Sequence, residues 1–178
     1  MTLKKAKIIS SIGIFGLCFL FHFMFDWFPN YFSTIFFPVN ESIWEHMKLL
    51  FSAVVFYGII DYIILQKFNI KYNNFFTSLF ISAVTIIPIY LIMFLPIYYK
   101  TGENMVVAIT IMAISIIISQ IISYYILKAK DFDKLNLVSL ILIIISYIVF
   151  AYLTYYPLKN DLFFDTKEEK YGLNNYNV

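Results

Sequence analysis

The chain has 178 residues, 61% of them hydrophobic and only 13% charged, with a formal net charge of +2. A mean hydropathy of +0.79, carried in long apolar runs rather than in alternating or amphipathic patterns, excludes an ordinary soluble domain. All thirteen basic residues are Lys, with no basic patch and no nucleic-acid motif, so nothing points to nucleic acid as a partner.

A hydrocarbon core about 30 Å thick takes about 20 helical residues to cross. Five stretches reach that length, roughly 8–27, 43–65, 75–98, 106–127 and 137–156, joined by short linkers. The opening MTLKKAK followed by IISSIGIFGLCFLF resembles the basic and apolar regions of a signal peptide. It has no small-x-small cleavage site and its apolar run is too long, so it reads as an uncleaved first span. Within it, His22 and Asp26 stand one helical turn apart and share a face, with Cys18 one turn deeper. Cys18 is the only cysteine, so no intramolecular disulfide forms. His22 falls roughly 21 Å above Ile8, in the outer third of a bilayer, where ionisable groups are costly and face the bundle interior. Two readings stay open: a metal ligand or general base whose tautomer Asp26 fixes, or a His–Asp hydrogen bond that pins span 1 to its neighbours.

Residues 28–39, FPNYFSTIFFPV, are too short to cross and are expected to form an interfacial or re-entrant segment. Next comes PVNESIWEHMK. Asn40 serves as an N-cap after Pro38, and Glu41 in the first turn suits the helix dipole. At this spacing Glu41, Trp44, Glu45 and Lys48 form one stripe, with Glu45 able to pair with Lys48. His46, at roughly 100° per residue, points away from the stripe. Further on, Pro88 and Pro96 interrupt span 3 with kinked packing, and Ser115, Ser119 and Ser123 line span 4 as a small-residue packing surface. Asp61, about 24 Å along span 2 from Glu45, reads as an interfacial cap or a partner of Lys67. The tail, 157–178, mixes acids with Phe163, Phe164 and Tyr171 and is expected to fold over the PVNESIWEHMK stretch as a lid, fraying beyond about residue 173.

The lysines set an orientation. Lys4, Lys5, Lys7, Lys67, Lys71, Lys128, Lys130 and Lys134 share one side, expected to be cytoplasmic, which places the N-terminus inside and the C-terminus outside. Trp27 and Trp44 then lie in the outer aromatic belt. Asp26, Glu41, Glu45, Glu103, Asp161, Asp165, Glu168 and Glu169 give an acidic outer face, with only Asp61, Asp131 and Asp133 on the inner side. The expected fold is all-α: a polytopic membrane bundle of about five transmembrane helices in a bacterial cytoplasmic membrane, the source suggested by Lys without Arg and heavy Ile, Asn, Phe and Tyr usage, as an AT-rich genome gives.

The expected site lies in an outer polar pocket. Its candidate metal ligands are His22, Asp26 and His46, and its candidate catalytic groups are Glu45 as general base with Glu41 and Lys48. Asn40, Trp44 and Asp165 support them. Two histidines with carboxylates suit a divalent ion such as Zn²⁺, Mn²⁺ or Fe²⁺. The function so expected is a metal- or acid–base-assisted hydrolase or transferase acting on an envelope or lipid substrate. Alternatives are a small-solute or cation transport component, which a polar path to Asp61 would favour, and an envelope scaffold.

HFMFD, PVNESIWEHMKLL and the tail pattern around DLFFD and KYG resemble those of a family of small bacterial integral membrane proteins known only as a domain of unknown function. The resemblance runs the whole length and implies membrane location without supplying an activity. Known intramembrane enzymes fit poorly. The chain has no Arg for the Glu-Glu-x₃-Arg motif of glutamate-type prenyl-protein proteases. It also lacks a third His for the ceramidase type and a GxS for rhomboids.

Overall fold

The structure, a computed structural model, describes residues 1–173 except 103 and 133. Glu103, Asp133 and residues 174–178 lie outside the described residues. The helices are α1 (Leu3–His22), α2 (Met24–Trp27), α3 (Tyr31–Phe36), α4 (Ile43–Lys67), α5 (Phe75–Thr101), α6 (Met105–Lys128) and α7 (Lys134–Tyr155). The strands β1 (Phe164–Asp165) and β2 (Lys170–Tyr171) follow.

Four of these helices, α4 to α7, are long and apolar enough to cross a membrane. The first expected span is not among them. Lys4, Lys5 and Lys7 lie inside α1 rather than before it, and the helix stops at His22, so its uncharged stretch runs only from Ile8 to Phe21. That is shorter than the roughly 20 apolar residues a crossing takes. α1 nonetheless runs antiparallel to α4: Lys7 meets Asp61 at one end, and the His22 and His46 rings lie 5.4 Å apart at the other. α1 packs on α4 and α6, and α5 packs on α4, α6 and α7. Ile14, Phe51, Ala53, Ile86 and Ile116 are buried at the centre.

Packing bears out some local expectations and alters others. Within residues 28–39 lies α3, a short helix capped by Asn30 Oδ1, which accepts from the Ser33 amide at 3.0 Å, and packed against α7. α5 continues unbroken through Pro88 and Pro96, as helices buried against neighbours can. Ser115, Ser119 and Ser123 are buried as a packing face, and the Ser78 and Ser123 hydroxyls bond at 2.8 Å. Asp61 pairs with Lys7 at 2.6 Å and accepts from the Ser10 hydroxyl, not with Lys67. α1 brings Lys7 to it, which spacing within α4 could not reveal. The tail is ordered through residue 173 and contains a hairpin, Phe164 opposite Tyr171 and Asp165 opposite Lys170. The expected all-α bundle thus carries a short β-hairpin in its tail, and the fraying expected beyond residue 173 falls outside the described residues.

The α1–α4 crossing depends on Gly13, where an added Cβ would lie 1.9 Å from the Tyr57 ring. Gly13→Ala is expected to destabilise the protein by about 1–3 kcal/mol through overpacking, read as a fall in melting temperature in detergent. Gly13→Ala/Tyr57→Leu is expected to recover most of this loss. Gly16→Ala, whose Cβ meets nothing within 4 Å and which gains helix propensity, should not lower the melting temperature; an equal fall in both single variants defeats the close-approach account.

Candidate functional site

The turn before α4 decides which acids and histidines meet. Ser42, not Asn40, caps the helix: its Oγ accepts from the Glu45 amide at 3.4 Å, and its own amide donates to Asn40 Oδ1 at 2.9 Å. Glu41 therefore precedes the helix and is not part of a helical stripe with Glu45 and Lys48. Its backbone turns its carboxylate toward His46 instead.

The expected constellation divides into two. Glu45 and Lys48 point inward and are 1% and 0% exposed. Lys48 Nζ donates to Glu45 Oε2 at 2.6 Å, to the Thr34 carbonyl at 2.9 Å and to Thr154 Oγ1 at 2.9 Å. The three donors of an ammonium are thus all used. Glu45 also accepts from Thr154 Oγ1 at 2.6 Å and from the Val39 amide at 3.1 Å. This closed network ties α3, α4 and α7 together and has no face toward the cavity described below.

The second group is His22, Glu41 and His46, whose ligand atoms all lie within 4.8 Å of one another. His22 Nε2 and His46 Nε2 are each 3.6 Å from Glu41 Oε2. Neighbouring donors around a tetrahedral ion with bonds of about 2.1 Å lie about 3.4 Å apart, so little movement would close the set. His46 Nδ1 sits 3.0 Å from the Ser42 carbonyl. A carbonyl can only accept, so Nδ1 carries the proton, which leaves Nε2, on the Glu41 side, as the nitrogen an ion would use, the second-sphere arrangement usual for a ligating histidine. His22 Nδ1 is buried with no hydrogen-bond partner among the described residues.

Two expected members do not join. α1 ends at His22, with Phe23 as its C-cap, so Asp26 falls on the separate α2 and is exposed. The one-turn His22–Asp26 pairing required a continuous helix. Trp44 lies beneath the tail rather than free in an outer belt, its ring stacked 4.8 Å from Phe163 and its amide donating to the Leu162 carbonyl at 2.8 Å.

The tail brings the expected Asp165 onto Glu41 and adds Lys167, which sequence spacing did not single out. Asp165, 0% exposed, accepts from the Glu41 amide at 3.0 Å through Oδ2 and from the Lys167 and Glu168 amides at 2.8 and 3.2 Å through Oδ1. Asn40 Nδ2 donates to the Gly172 carbonyl at 3.1 Å. The turn so held carries Lys167 Nζ to 3.3 Å from Glu41 Oε2. The D-x-K spacing was the available signal, an Asx-type turn, but only the fold places that turn over Glu41. His22 first, with burial opposing, then His46 and Lys167 hold the Glu41 carboxyl at about 2. It is thus a carboxylate at neutral pH, able to hold a cation.

Beneath the group lies a cavity of about 370 Å³ between α1, α4, α5 and α6. Its walls include Phe19, Leu49, Tyr90, Ile109 and Met112, and its rim carries His22, Glu41, His46 and Lys167.

The chain belongs to the family of unknown function DUF6512, which matches residues 1–173. No curated protein and no solved structure matches it.

Proposed function

We propose that this DUF6512 member is an integral membrane enzyme, a hydrolase or transferase for lipid-type substrates, that works with a divalent ion held by His22, Glu41 and His46. The observation that carries the reading is a two-histidine, one-carboxylate set at the rim of an apolar cavity. Three protein ligands with a remaining open position are the pattern of catalytic zinc sites, and Zn²⁺ suits this donor set best. Such an ion polarises an ester or phosphoryl oxygen and lowers the pKa of bound water. Glu41 replaces the exposed Asp26 as the carboxylate ligand, and Glu45 with Lys48 positions α3 and α7 around the turn.

α1, though its uncharged stretch is short of a full crossing, would complete the bundle as a fifth span along α4, with its lysine-bearing end at the membrane surface. The lysine distribution supports placing the site on the extracytoplasmic side of a cell membrane. A continuous transport path gains no support: the cavity floor includes Cys18 and Leu50, and Asp61 is engaged by Lys7 and Ser10.

Elemental analysis of purified protein, stripped with chelator and reloaded with Zn²⁺, tests the proposal. One ion per chain is expected in wild type and in Asp26→Ala, with near-complete loss in His22→Ala and Glu41→Ala. A folded wild type that takes up no Zn²⁺, Mn²⁺ or Fe²⁺, or a His22→Ala variant that still holds its ion, overturns it.

A further inference from the structure

We infer that the substrate is a lipid phosphate monoester, with its chain in the cavity beneath the rim and its headgroup bridged between the ion and Lys167. This rests on the metal reading above and adds the headgroup and the residue that selects it.

Among the described residues lining the cavity, one carboxylate, Glu41, stands against one ammonium, Lys167, at 3.3 Å. A divalent ion bound by Glu41 and two neutral imidazoles would take up that carboxylate's charge and make the rim more positive than it is without the ion. The Lys167 ammonium, half-exposed at 49% of its side chain, would then stand within a few ångströms of the ion. An oxyanion bound to the ion would lie within its reach. Phosphate, with several oxygens on one tetrahedral centre, can engage both cations at once, and lysine is a common phosphate partner as a point charge. A more positive rim over an apolar cavity suits an anionic amphipath better than a neutral or cationic one.

The position of Lys167 is built into the fold. Its amide is tied to Asp165, and Asp165 is tied to the Glu41 amide, so one buried carboxylate sets the distance between ligand and ammonium. A lysine serving only to neutralise Glu41 would not need a cavity beside it. Here both residues line the same cavity.

Calorimetric titration of Zn²⁺-loaded protein in lipid nanodiscs, with empty nanodiscs as blank, tests the assignment using n-octyl phosphate, n-octanol and inorganic phosphate. Octyl phosphate is expected to bind at least tenfold more tightly than either of the other two. Lys167→Ala should lose about tenfold for octyl phosphate and nothing for octanol, while Lys167→Arg keeps most of the affinity. Equal affinity for octanol, equal affinity for inorganic phosphate, or an unchanged Lys167→Ala overturns the inference. Each sample's zinc content and melting temperature are measured alongside. A protein without zinc sinks the metal reading on which the assignment rests, whereas a zinc-loaded, folded protein with no headgroup preference sinks this inference alone.

Discussion

Lys48→Met is expected to melt about 10 °C below wild type, the largest loss among the substitutions considered. The physical reason is the burial of its partner. Glu45 is 1% exposed, and removing the ammonium 2.6 Å away leaves a carboxylate in an apolar interior. Breaking one side of a buried pair costs about 3–5 kcal/mol, and for a chain of this size each kcal/mol moves the melting temperature by about 2–4 °C. The Thr34 carbonyl would also lose a donor, loosening α3 from α4. Glu45→Gln/Lys48→Met removes both charges while keeping one acceptor oxygen for either the Thr154 hydroxyl or the Val39 amide, and should recover part of the loss. Thermal unfolding in detergent distinguishes the outcomes. If the double variant is no better than Lys48→Met, the cost comes from lost packing and not from an unpaired charge. Zinc content in the double variant is expected to match wild type, since this network and the His22–Glu41–His46 group use different atoms.

Asp165→Ala is expected to free the tail. Its carboxylate accepts from three backbone amides, those of Glu41, Lys167 and Glu168. Each lost bond to a charged acceptor costs about 1–3 kcal/mol where the donor stays buried. The Lys167 and Glu168 amides can rehydrate, so a net cost of about 2 kcal/mol is reasonable, or roughly thirtyfold in the population of the open tail. Trypsin cleavage after Lys167, followed by mass spectrometry, tracks that population when reclosing is fast. Asp165→Asn keeps one acceptor oxygen and should fall between wild type and alanine. Cleavage of Asp165→Ala at the wild-type rate would mean that the Trp44–Phe163 stack and the Asn40–Gly172 bond hold the tail unaided.

The legible parts of this protein were those written into contiguous residues. The long apolar runs announced α4 to α7, and the density of polar groups in PVNESIWEHMK marked where the candidate site lies. Paired phenylalanines and KYG in the tail signalled a segment that packs. Helical periodicity failed where helices end. It assigned Glu41 to the Glu45–Lys48 stripe because Asn40 looked like a sufficient cap, yet Ser42 takes that role and releases Glu41 from the helix. It paired His22 with Asp26 because nothing in HFMFD marks the break at Phe23. It overlooked Lys167, whose partner Glu41 is far away in the chain.

By itself the sequence determined the environment, since burial of so much apolar surface in runs of that length leaves membrane-crossing helices as the economical solution for backbone hydrogen bonds. It also determined the inventory of chemistry: two histidines, few acids and no arginine. Tertiary structure decided the partners. Antiparallel packing of α1 on α4 brings His22 beside His46, and the ordered tail brings Asp165 and Lys167 onto Glu41. Those pairings depend on where helices stop and on contacts across long separations, which local periodicity does not encode.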